Sequence, residues 1–549
     1  MPFPQHLKFF KLHFISRLLL GLVLLSAANV VLSSFFSDHQ WRTGGLVFPA
    51  TTPFKPLLLL NSVAVILLAA PYRSPSIPSR PIVPSRLLLP CIAVLVILCY
   101  LPALRVNFAH NDWTHRQTAA GLFSTDALAR LFVVPQPDGM YRPLAFLSFA
   151  ADYLVFKDTL WGYHFQSILL HAINTLLVAF LAIQLGLHRA ALCAAAMFGI
   201  GAAHFEAVLW PAARFDILAT TFSLLSLICF LTWAKKPANT LYGFQAILYF
   251  TIAILHKECA YSLVLIIPLL IATHELWHVE LIPKRQLFCF CGLLIGAAAF
   301  LVAIRFVMFG GFGGYSYAAA RDVSNPTGIK AGFLLIERTL GLTPFAINLT
   351  GVPNIMTKFI LTAYAVWLTV VSWISRGSER RTIRILAVLT ILSAAPAISV
   401  MGWIQPSMQH SRLLYWPSVW FSLLIAEILS HLPSKRALLT ATAIGIQFAG
   451  LTQNIAVYTR ELGKIDRQVD AIRARHGGLT AVYLVGVPFA PNGVMYYSSE
   501  LEHRVRLAIP GVPIHSCESL DTCEYSAGQA AAVYKWNDRS GSVELTPGI

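Results

Sequence analysis

Carboxylates, cations and imidazoles recur in this chain at the ends of long apolar runs. Asp112 follows one such run by a few residues. His164 opens the next, and His171 and Asn174 lie about one and a half to three turns deeper on one face. His204 and Glu206 close the following run, and Arg214 and Asp216 open another across a short turn containing Pro211. Lys257 and Glu258 sit at the join of two short runs, and Arg412 and Tyr415 open a late one. Ionisable groups in such segments are expensive and mark function by default. A carboxylate can take a proton from an attacking hydroxyl. Several cations can hold a phosphate leaving group and stabilise its developing charge. Arg gives planar two-point recognition and Lys a point charge. The chemistry these types allow is group transfer from a phosphate-bearing donor.

The elements that must position them follow from composition. The chain has 549 residues, 56% hydrophobic and 12% charged, with a mean hydropathy of +0.65. Soluble globular domains carry about a quarter charged residues, so an ordinary soluble enzyme and a disordered chain are both excluded. Stretches of roughly 17–25 apolar residues are read as membrane spans. Thirteen are expected, near 14–36, 54–70, 87–104, 164–185, 190–209, 215–234, 241–256, 259–274, 287–309, 355–375, 383–402, 413–431 and 437–456. The 241–274 pair is the weakest, because His256, Lys257 and Glu258 interrupt it.

The net charge is +16, from 41 Lys and Arg against 25 Asp and Glu. Its distribution decides what it means. Lys8, Lys11 and Arg17 precede the first span; Arg73, Arg80, Arg86, Arg189, Lys235, Lys236, Lys284, Arg285, Arg376, Arg380, Arg381, Arg384, Lys435 and Arg436 fall in alternate connections. All lie on one side if thirteen spans start in the cytoplasm, which places the N-terminus inside and the C-terminus outside. Charge scattered over short loops also removes nucleic acid as a partner. The first apolar run is read as an uncleaved anchor rather than a signal peptide, because it is long.

The expected fold class is an all-α polytopic membrane protein with a small extracytoplasmic α/β domain at the C-terminus. Residues 1–86 form two spans and a basic cytoplasmic loop, 87–456 the catalytic module, and 457–549 the tail domain. Two external loops are large, 105–163 and 310–352. Thr125–Val134 and Pro143–Phe156 carry helical periodicity suited to the interface plane. Gly310, Gly311, Gly313 and Gly314 with Tyr315 and Tyr317 read as a mobile loop. In the tail, Glu461–Arg475 reads as a helix closed by Gly477 and Gly478, and Ala481–Val487 and Ala530–Lys535 as strands. Cys517 and Cys523 lie there, where an oxidising compartment permits a disulfide. The other seven cysteines lie in spans. No spacing marks a metal site and no cofactor is clear, so metal-independence is expected with a divalent ion left open. In this topology Asp112, Glu206, Arg214, Lys257, Arg412 and the groups beside them converge at one depth, facing outside. No nucleotide sugar is supplied there, so an activated donor must be lipid-borne. A polyprenyl phosphate carrying a sugar fits, its tail between helices and its phosphate at the cations.

The motifs resemble a known family. Tyr141-Arg142-Pro-Leu144 is followed by Tyr163-His164, Leu170-His171-Ala-Ile-Asn174, His204-Phe-Glu206-Ala-Val-Leu-Trp210, Arg214-Phe-Asp216-Ile-Leu-Ala219, His256-Lys257-Glu258 and Arg412-Leu-Leu-Tyr415-Trp-Pro417-Ser418. Their order over about 87–430 resembles the membrane part of TMTC-type O-mannosyltransferases and their bacterial relatives in the GT-C glycosyltransferase superfamily. The resemblance implies a hexosyltransferase with a lipid-phosphate-sugar donor and inverting transfer. It implies an acid in the first external loop as base, a position Asp112 matches, and Arg412 on the donor phosphate with Lys257, Arg214 and His204 beside it. Arg142, His164, His171, Asn174, Glu206, Asp216, Glu258 and Tyr415 would line the pocket. The acceptor would be a protein, lipid or glycan outside the cytoplasm, and the setting a bacterial inner membrane with the tail in the periplasm. The sequence departs from the pattern at Asn111 in place of a second acid, at Gly201-Ala202 and at Ser411, and no tetratricopeptide repeats follow.

Plainer roles exist for each residue. Asp112 can be a solvated loop acid, and Glu206 can form an ion pair with Arg214 or Asp216. Lys257 can pair with Glu258, His171 and Asn174 can bond between helices, and Tyr141-Arg142 can pin an interfacial helix. The rival functions are a transporter or flippase of lipid-linked sugars and a non-catalytic relative. Transporters favour repeated halves and midplane sites, and this sequence has neither feature.

Overall fold

The computed structural model describes, in the main, residues 88–134, 140–277, 282–311, 328–343, 378–431, 436–475, 481–493, 497–523 and 531–546, with strands β1 (Trp41–Thr43) and β2 (Leu46–Phe48). The spans expected at 14–36, 54–70 and 355–375 lie outside the described residues. So do the rest of the unit drawn at 1–86 and the Tyr315 and Tyr317 part of the glycine loop.

Apolar runs without internal breaks make the long helices. In chain order the helices are α1 (Leu88–Tyr100), α2 (His110–Ala120), α3 (Thr125–Val133), α4 (Pro143–Phe156) and α5 (Leu160–Gln184). Then come α6 (Ala191–Gly199), α7 (Phe205–Leu209), α8 (Arg214–Lys235), α9 (Thr240–His256), α10 (Leu263–Ala272) and α11 (Lys284–Phe309). The last are α12 (Gly328–Ile336), α13 (Ser378–Ala394), α14 (Pro417–Ser430), α15 (Arg436–Arg473) and α16 (Tyr497–Ala508). Among the described residues, five stretches are long and apolar enough to cross a membrane, and a bent pair would make a sixth. The five are Leu88–Arg105, Leu160–Gln184, Pro211–Lys235, Lys284–Phe309 and Arg381–Trp403. α4, α9, Glu258–Ala272 and α14 are apolar but shorter. The runs expected at 241–256, 259–274 and 413–431 are thus shorter apolar helices.

Lipid-facing and core helices separate by exposure. On α11, Phe288 is 81% and Val307 87% exposed, a surface that suits hydrocarbon rather than water. Every residue of α14 is buried, which places it at the centre of the bundle. The run expected at 190–209 is broken: Ala191–Gly199 and Ala202–Leu209 meet at 41°. Gly201 stands at the break, where an added Cβ would lie 2.8 Å from His204 Cε1.

Two expectations need correcting. A helix, α12, forms at Gly328–Ile336 within the segment read as a mobile loop, because its apolar residues Ala331 and Leu335 are buried. The last span and the tail helix are one element, α15. No proline interrupts it, and its glycines each cost only about 1 kcal/mol. At 1.5 Å per residue it is roughly 57 Å long, and it carries the chain out of the bundle into the tail.

The tail holds a four-stranded sheet in the order β4-β3-β5-β6, with β3 (Ala481–Val485), β4 (Ile514–Cys517), β5 (Ala531–Asn537) and β6 (Ser542–Leu545). β3 is parallel to β4 and β5, and β5 is antiparallel to β6. All of β3 is buried, as expected of a central strand. α16 links β3 to β4 and packs on α15 and α2. Cys517 and Cys523 are disulfide-bonded.

Candidate active site

The first large loop is helical. α2 opens with a capping arrangement in which Ala109 N–H donates to Asp112 Oδ2 at 2.8 Å. Oδ1 of the same carboxylate accepts Ala212 N–H at 2.6 Å, from the turn between α7 and α8. Asp112 is fully buried, so it is not a solvated loop acid. Burial pushes its carboxyl well above the usual range; Glu500 adds to this, and the two backbone donors and Arg214 oppose it.

The remaining charges sort into buried pairs. Arg412 Nη1 donates to Glu206 Oε1 at 2.7 Å, and its backbone N–H donates to Oε2 at 2.9 Å. The guanidinium lies over the Trp210 ring, 4.8 Å from its centroid, close enough for a cation–π contact. Glu206 thus takes neither Arg214 nor Asp216 as partner. Asp216 pairs with Lys257. Lys257 therefore does not pair with its neighbour Glu258, which instead accepts Arg142 Nη2 at 2.6 Å and Arg305 Nη2 at 2.7 Å. Arg142 thus pins the interfacial helix α4 to the α9–α10 join rather than standing free.

Arg214 is placed differently from the expectation. It bonds Asp152 and Gln166, donates to Tyr163 O at 2.8 Å and to Ser167 Oγ at 3.1 Å, and packs on the Phe149 ring. With its donors so engaged it ties α8 to α4 and α5. Arg412 and Lys257 both act on His410, which burial and these two charges hold well below the usual imidazole value.

His171, Asn174 and Tyr415 form one hydrogen-bonded unit. His171 Nδ1 lies 2.7 Å from Tyr415 Oη and Nε2 lies 2.9 Å from Gly199 O. Asn174 Nδ2 donates to Ile217 O and to Tyr415 Oη. A consistent assignment has Tyr415 donating to Nδ1 and Nε2–H donating to Gly199. This unit joins α5, α6, α8 and the start of α14. His204 Nε2 is 2.5 Å from Ser418 Oγ. The cavity beside it, bounded by Gly201, Ser418 and Gln447, is about 10 Å³, room for one water. His204 is therefore packed against Ser418 beside a space the size of one water. His164 is fully buried, its ring centroid 6.2 Å from that of Phe108.

Several members of the site escaped the sequence. Arg305 is hidden inside an apolar run, and Asp152 inside α4. Tyr458 lies on α15 where Asp112, Glu206, Glu500 and Arg412 all act on it, which brings the two motif ends and the tail to one place. His410 could have been noticed two residues before Arg412. Among the described residues no three His, Cys, Asp or Glu side chains group as a metal site.

No family model matches the chain. Protein O-mannosyl-transferase Tmtc1 of Drosophila melanogaster is 31% identical over 186 residues, 32% of this chain and 21% of that protein. Protein O-mannosyl-transferase TMTC2 of Homo sapiens is 31% identical over 155 residues, 25% of this chain and 18% of that protein. The chain thus spans about a fifth of the length of these relatives. The crystal structure of ArnT from Cupriavidus metallidurans bound to undecaprenyl phosphate superposes with a TM-score of 0.40 at 14% identity, covering 82% of this chain and 93% of that one. By sequence, then, this membrane chain is similar over part of its length to the TMTC-type protein O-mannosyltransferases, the family its motifs resemble.

Proposed function

We propose that the protein is a membrane glycosyltransferase that moves a sugar from a polyprenyl-phosphate donor to a hydroxyl acceptor on the non-cytoplasmic face. Asp112 takes the proton from the acceptor hydroxyl. The freed oxygen pair bonds the anomeric carbon, the carbon–oxygen bond to phosphate breaks, and polyprenyl phosphate leaves with that electron pair. Arg412 and Lys257 take up the charge on the departing phosphate, displacing their contacts to Glu206 and Asp216. Backside attack inverts the anomeric centre. Arg214 and the His171–Asn174–Tyr415 unit hold the helices that carry these groups. The N-terminus is cytoplasmic and the tail lies outside, in the periplasm of a bacterial inner membrane.

One observation carries this reading. Each of Glu206, Asp216, Glu258 and Asp152 is paired with a cation, whereas Asp112 is buried and, among the described residues, its carboxylate accepts two backbone N–H groups and forms no ion pair. A buried carboxylate without an ion partner is the better proton acceptor. Sequence similarity to protein O-mannosyl-transferases supports the same direction. The test uses purified protein in detergent with labelled polyprenyl-phosphate sugars and a hydroxyl-bearing acceptor. Turnover is expected, and Asp112→Asn should reduce it by about a hundredfold or more with insertion unchanged. Transport of a lipid-linked sugar across sealed vesicles without turnover in detergent would establish the flippase instead.

A further inference from the structure

The tail does not merely follow the membrane part; it grips the segment that bears Asp112. Arg504, on α16, is largely buried, with its side chain 8% exposed. Its Nη2 donates to Phe108 O at 2.8 Å. The same guanidinium bonds Asp466 on α15 and Glu500 one turn earlier on α16. Asp466 also accepts Asn107 Nδ2 at 2.9 Å, and Glu500 accepts Trp113 Nε1 at 3.4 Å. His503 adds a ring contact to Trp113, with centroids 5.7 Å apart. Contacts at 107 and 108 on one side and at 113 on the other bracket Asp112.

We propose that Arg504 is a positioning residue of the transfer site. It acts through Asp466, Glu500 and the Phe108 carbonyl to hold the entry of α2, and so fixes the direction in which Asp112 meets the acceptor. The physical case is the fork geometry of the guanidinium, which joins two carboxylates and a carbonyl at fixed angles in a way no flexible ammonium reproduces. A buried cation so engaged is strongly destabilising to remove, and it orients the same Asp466 and Glu500 carboxylates that accept Asn107 and Trp113. A small displacement of a catalytic group loses much of the rate. The C-terminal unit is on this account an obligatory part of the site. The inference rests on Asp112 being the base.

The tie also sets the surroundings of that base. The charged or titratable groups acting on Asp112 are Glu500 from α16 and Arg214 from α8, with Tyr458 on α15 coupled to the same carboxylate. Glu500 disfavours the ionised form of Asp112. Neutralising Glu500 therefore lowers the proton affinity of Asp112, and the acid limb of the rate profile moves to lower pH.

The test uses the full-length protein in detergent, with hydrogen exchange by mass spectrometry beside turnover. In Arg504→Ala, exchange at residues 107–113 is expected to quicken while the strands of the sheet stay protected. kcat should fall about ten- to a hundredfold at unchanged KM for the donor. Arg504→Lys keeps the charge, tolerates folding better and should fall between the two. Glu500→Gln should move the acid limb downward, a change that a purely structural brace would not produce. Unchanged exchange and unchanged kcat in folded Arg504→Ala, beside an inactive Asp112→Asn, would overturn the positioning role alone. Wild-type turnover in Asp112→Asn would overturn the base assignment, and this role with it.

Discussion

Asp112 and Ala212 are a hundred residues apart in sequence and meet at 2.6 Å, the Ala212 N–H donating to the Asp112 carboxylate. That bond joins the first external loop to the turn between α7 and α8. Ala212 lies six residues after Glu206, the partner of Arg412, on the same α7–α8 segment.

The protonation of Asp112 should govern the rate. Burial raises its proton affinity above that of an ordinary carboxylate, so the neutral form persists to higher pH. A base works only when ionised. Turnover should therefore rise with pH along a limb lying above the usual carboxylate range, and Asp112→Asn should abolish the limb. Initial rates across pH in detergent check this.

Arg412 should not be replaceable by Lys. Its guanidinium bonds Glu206 and covers Trp210 at once, a geometry an ammonium cannot copy. Losing a charge-assisted contact to phosphate corresponds to roughly a tenfold weaker donor interaction. Arg412→Lys should raise KM for the donor by about that factor, measured by titrating the lipid substrate.

Glu258 should matter to stability more than to transfer. It neutralises both Arg142 and Arg305. Glu258→Gln removes the counter-charge that both buried guanidinium groups share. Breaking a buried pair this way costs about 3–5 kcal/mol. The Tm in detergent should fall clearly, while Arg381→Ala, at an exposed pair with Glu275, should leave it nearly unchanged.

The topology is open to labelling. Asp126 and Arg189 are both exposed and fall on opposite sides in the arrangement required by the basic loops. In oriented sealed vesicles, Asp126→Cys should react with an impermeant maleimide from the non-cytoplasmic side and Arg189→Cys from the other. Reaction of both from one side would break the convergence on which the proposed site depends.

Much of the helical frame was legible in the chain itself, because apolar run length and turn residues act locally. α4 begins and ends where its periodicity does, at Pro143 and Phe156, and Leu160–Gln184 and Lys284–Phe309 follow from uninterrupted hydrophobicity. Motif order also placed Asp112, Glu206, Lys257 and Arg412 in candidate roles. Partner choice was not legible. Lys257 and Glu258 are adjacent, yet successive residues point in different directions at the start of a tight turn, one toward Asp216 and the other toward Arg142 and Arg305. Arg305 gave no signal, since one cation in a long apolar helix resembles any other interfacial residue. The grip of Arg504 on Phe108 spans 396 positions, and no local pattern encodes so distant a contact. The sequence by itself determined which segments are greasy and which residue types could perform transfer. The tertiary structure alone decided which of the clustered carboxylates pair with cations and that Asp112 meets two backbone N–H groups, because pairing depends on packing in three dimensions and not on spacing along the chain.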